Sequence, residues 1–225
     1  MFTGFPREGL RFLEQLAAHN ERVWFTPRKA DYERNLLEPM RAFVVDASAA
    51  LRAARIPIGG SERRSIFRVY RDVRFSPDKS PYRTNVASYL SYDGERGTPG
   101  GLYVQVAPSD SRLSIAFYKL ERPMLQRWRL EMARSPARFR GVLRKLRAAN
   151  VELGEPEDWD DSLTRMPRGF ERYASSDLAP YFRLRSFCAR RRVTLRDVTS
   201  PGLVRRAVEF ARDAKPLLEY GWSLD

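Results

Sequence analysis

The chain has 225 residues, of which 43% are hydrophobic, with 13 Gly and 15 Pro, a composition that excludes collagen-like, low-complexity and disordered classes. One Cys (Cys188) and one His (His19) exclude a disulfide framework, a Cys/His zinc site and a Cys/His nucleophile pair, and leave a Ser-His-Asp triad only His19 to work with. Set against 28 Asp and Glu, 41 Lys and Arg give a net charge of +13, which raises the question of a nucleic-acid or other polyanionic partner.

Residues 6 to 18 read as a short helix with Leu10, Leu13, Leu16 and Ala17 on one face and Pro6 at the tolerated first position. Thr26 followed by Pro27 signals a second helix start, and Tyr32, Leu36, Met40, Phe43, Val44, Ala47 and Leu51 keep helical spacing to about residue 55. Pro39 should kink or split that helix. Gly59 and Gly60 mark a loop.

From Phe67 the period becomes two, predicting a strand over 67 to 75 with Phe67, Val69, Arg71, Val73 and Phe75 on one side. Further strands are predicted at 86 to 92, 101 to 107 and 112 to 118, joined by a Gly-rich loop and the turn PSDS. Two helices follow. In the first, from about 123 to 134, Leu125, Trp128 and Met132 face inward; in the second, started by Ser135 and Pro136, the inward set is Phe139, Val142, Leu143 and Leu146. After an acidic loop (151 to 161) come a short helix (178 to 184), a strand (186 to 193) and a last helix capped by Ser200 and Pro201. The fold expected is a single α+β domain spanning 1 to 225, an antiparallel β-meander packed by N-terminal and C-terminal helices.

The charge is unevenly spread. Residues 112 to 150 carry +9 and 181 to 215 carry +7, whereas 61 to 111 carry only +2. Of the basic residues, 36 are Arg and 5 Lys, a skew that codon usage produces without any ligand. A nucleic-acid surface would draw on the ridge Arg140, Arg144, Arg147 and on the run Arg190, Arg191, Arg192, but no helix-turn-helix, zinc-finger, RNP or KH signature accompanies them. With no apolar run near ~18 residues and no signal-peptide pattern, a cytoplasmic protein off the membrane is expected.

The densest polar stretch is FRVYRDVRFSPDKSPYRTN, residues 67 to 85. Ser76, Pro77, Asp78 and Lys79 suit a type I turn, which would fix Lys79 and Tyr82 relative to the strand. Arg71, on the otherwise apolar side, should be buried and paired. Two readings follow. In one, Arg68, Arg71, Arg74 and Arg83 surround a small anion with Tyr70 donating a hydrogen bond, and Asp72, Asp78, Lys79 and Tyr82 supply proton transfer. In the other, the alternating charges form an ion-pair network that holds structure only, and the protein is a partner-binding domain. Asp72 and Asp78 offer oxygen ligands to Mg²⁺, but the surrounding cations oppose one, so neither a metal nor a cofactor is expected.

The same stretch resembles the hallmark F-R-x-Y-R-D-x-R-F-S-x-D-K-x-P-Y of a bacterial and fungal family classed as a domain of unknown function. Residues 12 to 33 are similar to that family's N-terminal pattern, with Asn20, Trp24, Phe25, Lys29 and Tyr32 at matching places. The segments from Gly101 to Arg129, MPRGFE and YFRLRSF resemble its later blocks, so the likeness runs over essentially the whole chain. It implies a family, and with it no activity or catalytic residue. Lys29 and Tyr32, three apart on one helix face, would join the cation cluster, with Asn20 and Trp24 beside them; Trp24 and Phe25 equally suit a hydrophobic staple and core plug before Thr26. Where the family often has His after P-Y-x-T and in the third strand, this chain has Asn85 and Gln105, so a mechanism built on those imidazoles does not carry over.

Overall fold

In a computed structural model, residues 1–74, 76–92, 94, 98–154 and 162–224 are described. Phe75, most of the loop at 93–97 and the acidic stretch 155–161 lie outside them. The protein is α+β, with a six-stranded antiparallel sheet of order β1-β2-β3-β4-β6-β5. The strands are β1 (Ile58–Gly59), β2 (Val86–Tyr92), β3 (Gly101–Val106), β4 (Arg112–Phe117), β5 (Glu152–Gly154) and β6 (Phe187–Arg192). The meander expected at β2, β3 and β4 is present. Contact density divides the chain into two compact units.

The first unit comprises Met1–Gly97, Leu102–Leu113 and Arg192–Phe210. Its first helix, α1 (Arg7–Ala18), buries Leu10, Leu13 and Leu16 as its spacing requires. Helical structure then resumes at α2 (Arg22–Phe25), four residues before the start expected from Thr26 and Pro27. Pro27 has no N–H to give the carbonyl four residues back, and the chain passes it by tightening into a 3₁₀ turn, Thr26–Arg28. After α3 (Lys29–Tyr32) comes a π-turn, Glu33–Leu37, and then α4 (Glu38–Ala53). The π-turn answers Pro39, which can neither bond the Asn35 carbonyl nor fit against it at normal helical pitch. Against that carbonyl lies Gly9 of α1: a Cβ there would sit 2.6 Å from Asn35 O.

The strand expected over 67 to 75 is absent from the described residues of that span. Only two isolated antiparallel bridges form, Ile66↔Ser88 and Tyr70↔Tyr82, with Phe67 N–H donating to Ala87 O and Arg83 N–H to Val69 O. Between the bridges, three residues on one side oppose five on the other. This bulge at 83 to 87 breaks the ladder, so the alternation of the sequence does not become a regular strand. The edge of the sheet is instead β1, paired Ile58↔Tyr92 and Gly59↔Ser91, and α4 packs on β1 and β2.

The second unit comprises Thr98–Gly101, Ser114–Arg191 and Ala211–Asp225. Helices α5 (Arg122–Arg134) and α6 (Pro136–Ala148) bury the faces their sequences present, and α7 (Ala179–Arg183) precedes β6, which pairs antiparallel with β5. Trp128 is the centre of this core, stacked on Phe187 at 3.9 Å and edge-on to Tyr220 and Phe117. Buried Arg129 donates to the carbonyls of Phe182 (2.9 Å) and Leu184 (3.3 Å), at the end of α7; it supplies donors that the last carbonyls of a helix lack. The remaining helices are α8 (Leu195–Val198), closed by a Thr194/Asp197 capping box, α9 (Gly202–Asp213) and α10 (Lys215–Trp222). Among the described residues no helix is long and apolar enough to cross a membrane.

Candidate functional site

The 67 to 85 segment and the helical entry at 20 to 32 do meet, chiefly through backbone and aromatic rings. The Asn20 side-chain amide accepts from Tyr82 N–H (3.0 Å) and donates to Tyr82 O (2.9 Å), satisfying both polar groups of one residue as a neighbouring strand would. Tyr82 is 2% exposed, and its ring stacks on Phe25 at 4.1 Å. Phe25 is thus the core plug expected of it, though within a helix and not ahead of one. Tyr32 is buried beside Phe25 and Phe12, and burial, with Glu33 adding to it, raises its phenol to about 12. Trp24 is half-buried between Phe12 and the Arg28 guanidinium, which lies 4.7 Å from its ring centre. Lys29 reaches Glu33 at 3.4 Å.

The Tyr70↔Tyr82 bridge closes the loop 71 to 81, reinforced by Arg71 N–H donating to Pro81 O at 2.9 Å. Inside it the charges satisfy one another. Arg71 pairs with Asp78, whose other oxygen accepts from Ser80 N–H. Bonds from Ser80, then the Arg71 guanidinium, hold the Asp78 carboxyl far below the usual range. Arg74 forks onto Asp72 at 3.0 and 2.7 Å and keeps that carboxyl at about 2. Lys79 donates to Val73 O at 3.0 Å. Arg71 is only half-buried and not the buried residue expected, because the chain has left the ladder before reaching it; it is paired, as expected, and its partner is Asp78.

Arg68 and Arg83 are different: both are exposed, and neither joins an ion pair among the described residues. Arg83 lies over the Phe67 ring at 5.9 Å, while Arg68 belongs to a groove of about 540 Å³ lined by Leu37, Arg41, Glu62, Arg63, Ile66, Phe67 and Arg68. Its construction is local. Leu37 and Arg41 are one helical turn apart at the start of α4, and Glu62 and Arg63 sit on a turn tied at both ends by serine hydroxyls. Ser61 N–H donates to Ser65 Oγ (2.9 Å), and Arg64 N–H to Ser61 Oγ (3.2 Å). Gly60 permits this approach, since a Cβ there would lie 2.3 Å from Ser65 Oγ. Ile66 and Phe67 supply the apolar wall. Among the described residues none of Arg41, Glu62, Arg63 and Arg68 takes part in an ion pair, so the groove presents three guanidiniums and one carboxylate without contact partners, although the Arg68 charge also helps to lower the Asp72 carboxyl.

Behind Phe67 stands a second polar group on β3 and the turn after it. Tyr103 meets Phe67 edge-on at 5.9 Å and donates its hydroxyl proton to Gln105 Oε1 (3.0 Å). Gln105 Nε2 donates to Asp110 O and Oδ2, and Asp110 pairs with Arg112. Burial raises the Tyr103 phenol, with Arg112 and Arg83 opposing. The four side chains form a network that runs from half-buried Tyr103 through buried Gln105 to Asp110 and Arg112. Asn85, in the bulge, keeps a buried Oδ1 without a partner among the described residues.

Of the basic residues weighed for nucleic acid, Arg140 forks onto Asp177 at 2.9 and 2.7 Å and holds that carboxyl at about 2. Arg191 is engaged by Asp213 (2.8 Å) and by Ala149 O (2.7 Å). Arg144 and Arg147 are exposed on α6, Arg190 lies opposite Glu152 in the β5–β6 register, and Arg192 is exposed. The ridge is therefore partly neutralised. Among the described residues no group of three His, Cys, Asp or Glu is arranged to hold a metal ion.

Of the groove's charged residues, sequence reasoning singled out Arg68 and not Arg41, Glu62 or Arg63. The cue was the charged run after Gly59 and Gly60, whose relation to the start of α4 depends on tertiary packing. Over residues 8–220 the chain matches the model of a family described as a conserved hypothetical protein, DUF2461. No curated protein and no solved structure matches it.

Proposed function

We propose, for a chain that belongs to the DUF2461 family of conserved hypothetical proteins, that it binds an anionic small molecule in the groove between the start of α4 and the 61 to 68 segment. The observation that carries the proposal is the set Arg41, Arg63 and Arg68, three exposed guanidiniums without ion-pair partners among the described residues, facing an apolar wall of Leu37, Ile66 and Phe67. Concave sites of roughly 300 to 1,000 Å³ with a few convergent polar groups are the usual form of small-ligand sites, and Arg suits carboxylate and phosphate through its planar fork. The charges of the 71 to 81 loop stay outside the site. They pair within the loop that the Tyr70↔Tyr82 bridge closes, whereas Phe67 and Arg68 lie before that bridge.

Phenyl phosphate, which joins a dianion to an apolar ring, is a direct probe. Titration by calorimetry at low salt should show saturable binding that Arg41→Ala or Arg68→Ala weakens about tenfold, as loss of a charge-assisted bond of about 1.5 kcal/mol would. Arg74→Ala should leave it unchanged. Absence of binding, or equal loss in all three variants, overturns the proposal.

A further inference from the structure

We infer that the outward face of α6 docks on the phosphate backbone of double-stranded DNA, at a site separate from the groove and independent of it. The helix carries Arg138, Arg140, Arg144, Lys145 and Arg147 and not one acidic residue in its 13 positions. Other helices of this Arg-rich chain neutralise exposed cations from within: Arg205 pairs with Glu209 in α9 (2.7 Å) and Lys215 with Glu219 in α10 (3.2 Å), each four residues on. Codon usage accounts for Arg in place of Lys, but not for a helix without acids. Arg138 and Arg140 draw on Glu131 and Asp177 from other parts of the chain. Arg144, Lys145 and Arg147 are exposed and join no ion pair among the described residues. Lys145 and Arg147, in the last turn, suit the negative end of the helix dipole. Arg144 lies before that turn and has like-charged neighbours four and three positions away, Arg140 and Arg147, an arrangement that destabilises a bare helix and that a polyanion relieves.

The arrangement of the face points to the kind of polyanion. At about 100° per residue, Ala137, Gly141 and Ala148 run along its middle, with Arg140, Arg144 and Arg147 on one flank and Arg138 and Lys145 on the other. Cations on both flanks match the two phosphate rows that border the major groove of B-DNA, which at about 12 Å admits an α-helix. A-form RNA closes that groove to side chains. The apolar residues of α6, Phe139, Val142, Leu143 and Leu146, are all buried. Outward, the helix therefore offers neither the apolar face by which an amphipathic helix enters a membrane surface nor the aromatic anchors of a protein interface. It presents no ring on which unpaired bases would stack. The small residues between the flanks carry no donor or acceptor for base edges, so the contact is with the backbone and without sequence preference.

The experiment is fluorescence anisotropy of the full chain with a labelled, mixed-sequence DNA duplex of about 20 base pairs, at salt from about 50 to 200 mM. Three phosphates neutralised by Arg144, Lys145 and Arg147 predict a double-logarithmic salt slope of about −2.7. Replacing all three by Ala should weaken binding at low salt by at least about tenfold and flatten the slope. Arg144→Glu, which sets an acid between Arg140 and Arg147, should leave Tm unchanged or higher while binding also falls about tenfold. If the triple variant fails to fold, this single variant decides. Arg11→Glu, the same charge change at an exposed position of α1, and Arg68→Ala in the groove should cost no more than about threefold. No binding at low salt, an unchanged affinity in Arg144→Glu, or an equal loss in Arg11→Glu or Arg68→Ala overturns the docking face. Stronger competition by an RNA duplex, phosphatidylserine vesicles or polyglutamate than by unlabelled DNA overturns the assignment to DNA.

Discussion

Replacing Asn20 with Ala removes two hydrogen bonds at once, those to the N–H and the carbonyl of Tyr82 at 3.0 and 2.9 Å. Tyr82 is almost fully buried, so water restores those bonds poorly. A backbone group left without a partner in such a place costs about 1 to 3 kcal/mol. Two groups, with partial relief by water at the part-buried edge, give a loss of about 2 to 4 kcal/mol. In a chain of this size that corresponds to a fall in Tm of roughly 4 to 16 °C at about 2 to 4 °C per kcal/mol. The effect should be local before it is global. Amide exchange of Arg71 and Arg83, whose N–H groups donate to Pro81 and Val69 across the hairpin, should accelerate in the variant while amides in α5 and α6 keep their protection. Urea unfolding by circular dichroism gives the first quantity and hydrogen exchange the second. A change below about 0.5 kcal/mol, or faster exchange spread evenly over the molecule, refutes the role assigned to Asn20.

Gly9→Ala should destabilise by about 1 to 3 kcal/mol in thermal unfolding although Ala favours helices, because the new Cβ meets the Asn35 carbonyl, which is backbone and cannot turn aside; a neutral or stabilising result would contradict the packing of α1 on the π-turn. Arg129→Met should lose about 2 to 3 kcal/mol by stripping donors from Phe182 and Leu184 carbonyls, and a neutral result would contradict the capping role. Asp72 is bonded by Arg74 and titrates at about 2 in the folded chain, below its unfolded value near ~3.9. Whatever stability the pair contributes is therefore present above that unfolded value and is lost as pH falls towards 2. Carboxyl chemical shifts should place the Asp72 midpoint near 2, and Arg74→Ala should move it up, with no measurable loss of stability at pH 7 because the pair is fully exposed.

The helix faces and the meander could be read from the sequence because their periods are intact. Leu10, Leu13 and Leu16 mark α1, while Trp128, Met132, Phe139 and Leu143 mark α5 and α6. Pro39 was read as an obstacle and Pro27 as a helix start, but the chain's answers, a 3₁₀ turn at Pro27 and a π-turn before Pro39, are not written in that spacing, and the second packs against Gly9, distant in sequence. The alternation from Phe67 onward was misleading for a definite reason: the bulge at 83 to 87 sits on the partner segment, so nothing in the 67 to 75 pattern records it. Of the conspicuous charges of that stretch, Arg71 pairs with Asp78 and Arg74 with Asp72, while Lys79 donates to the Val73 carbonyl. Arg41, Arg63 and Arg68, which join no ion pair among the described residues, line one groove, and only tertiary packing of α4 against the 61 to 68 segment brings them together.

The central claim is this division between charges that pair within the 71 to 81 loop and charges that face a ligand. Heteronuclear NMR titration of the isotope-labelled full chain with phenyl phosphate tests it in one measurement. The claim predicts saturable shifts at Leu37, Arg41, Glu62, Arg63 and Phe67, little change at Asp72, Arg74 and Asp78, and loss of the response in Arg68→Ala but not in Arg74→Ala. Shifts centred on residues 71 to 81, abolished by Arg74→Ala and indifferent to Arg68→Ala, would contradict it.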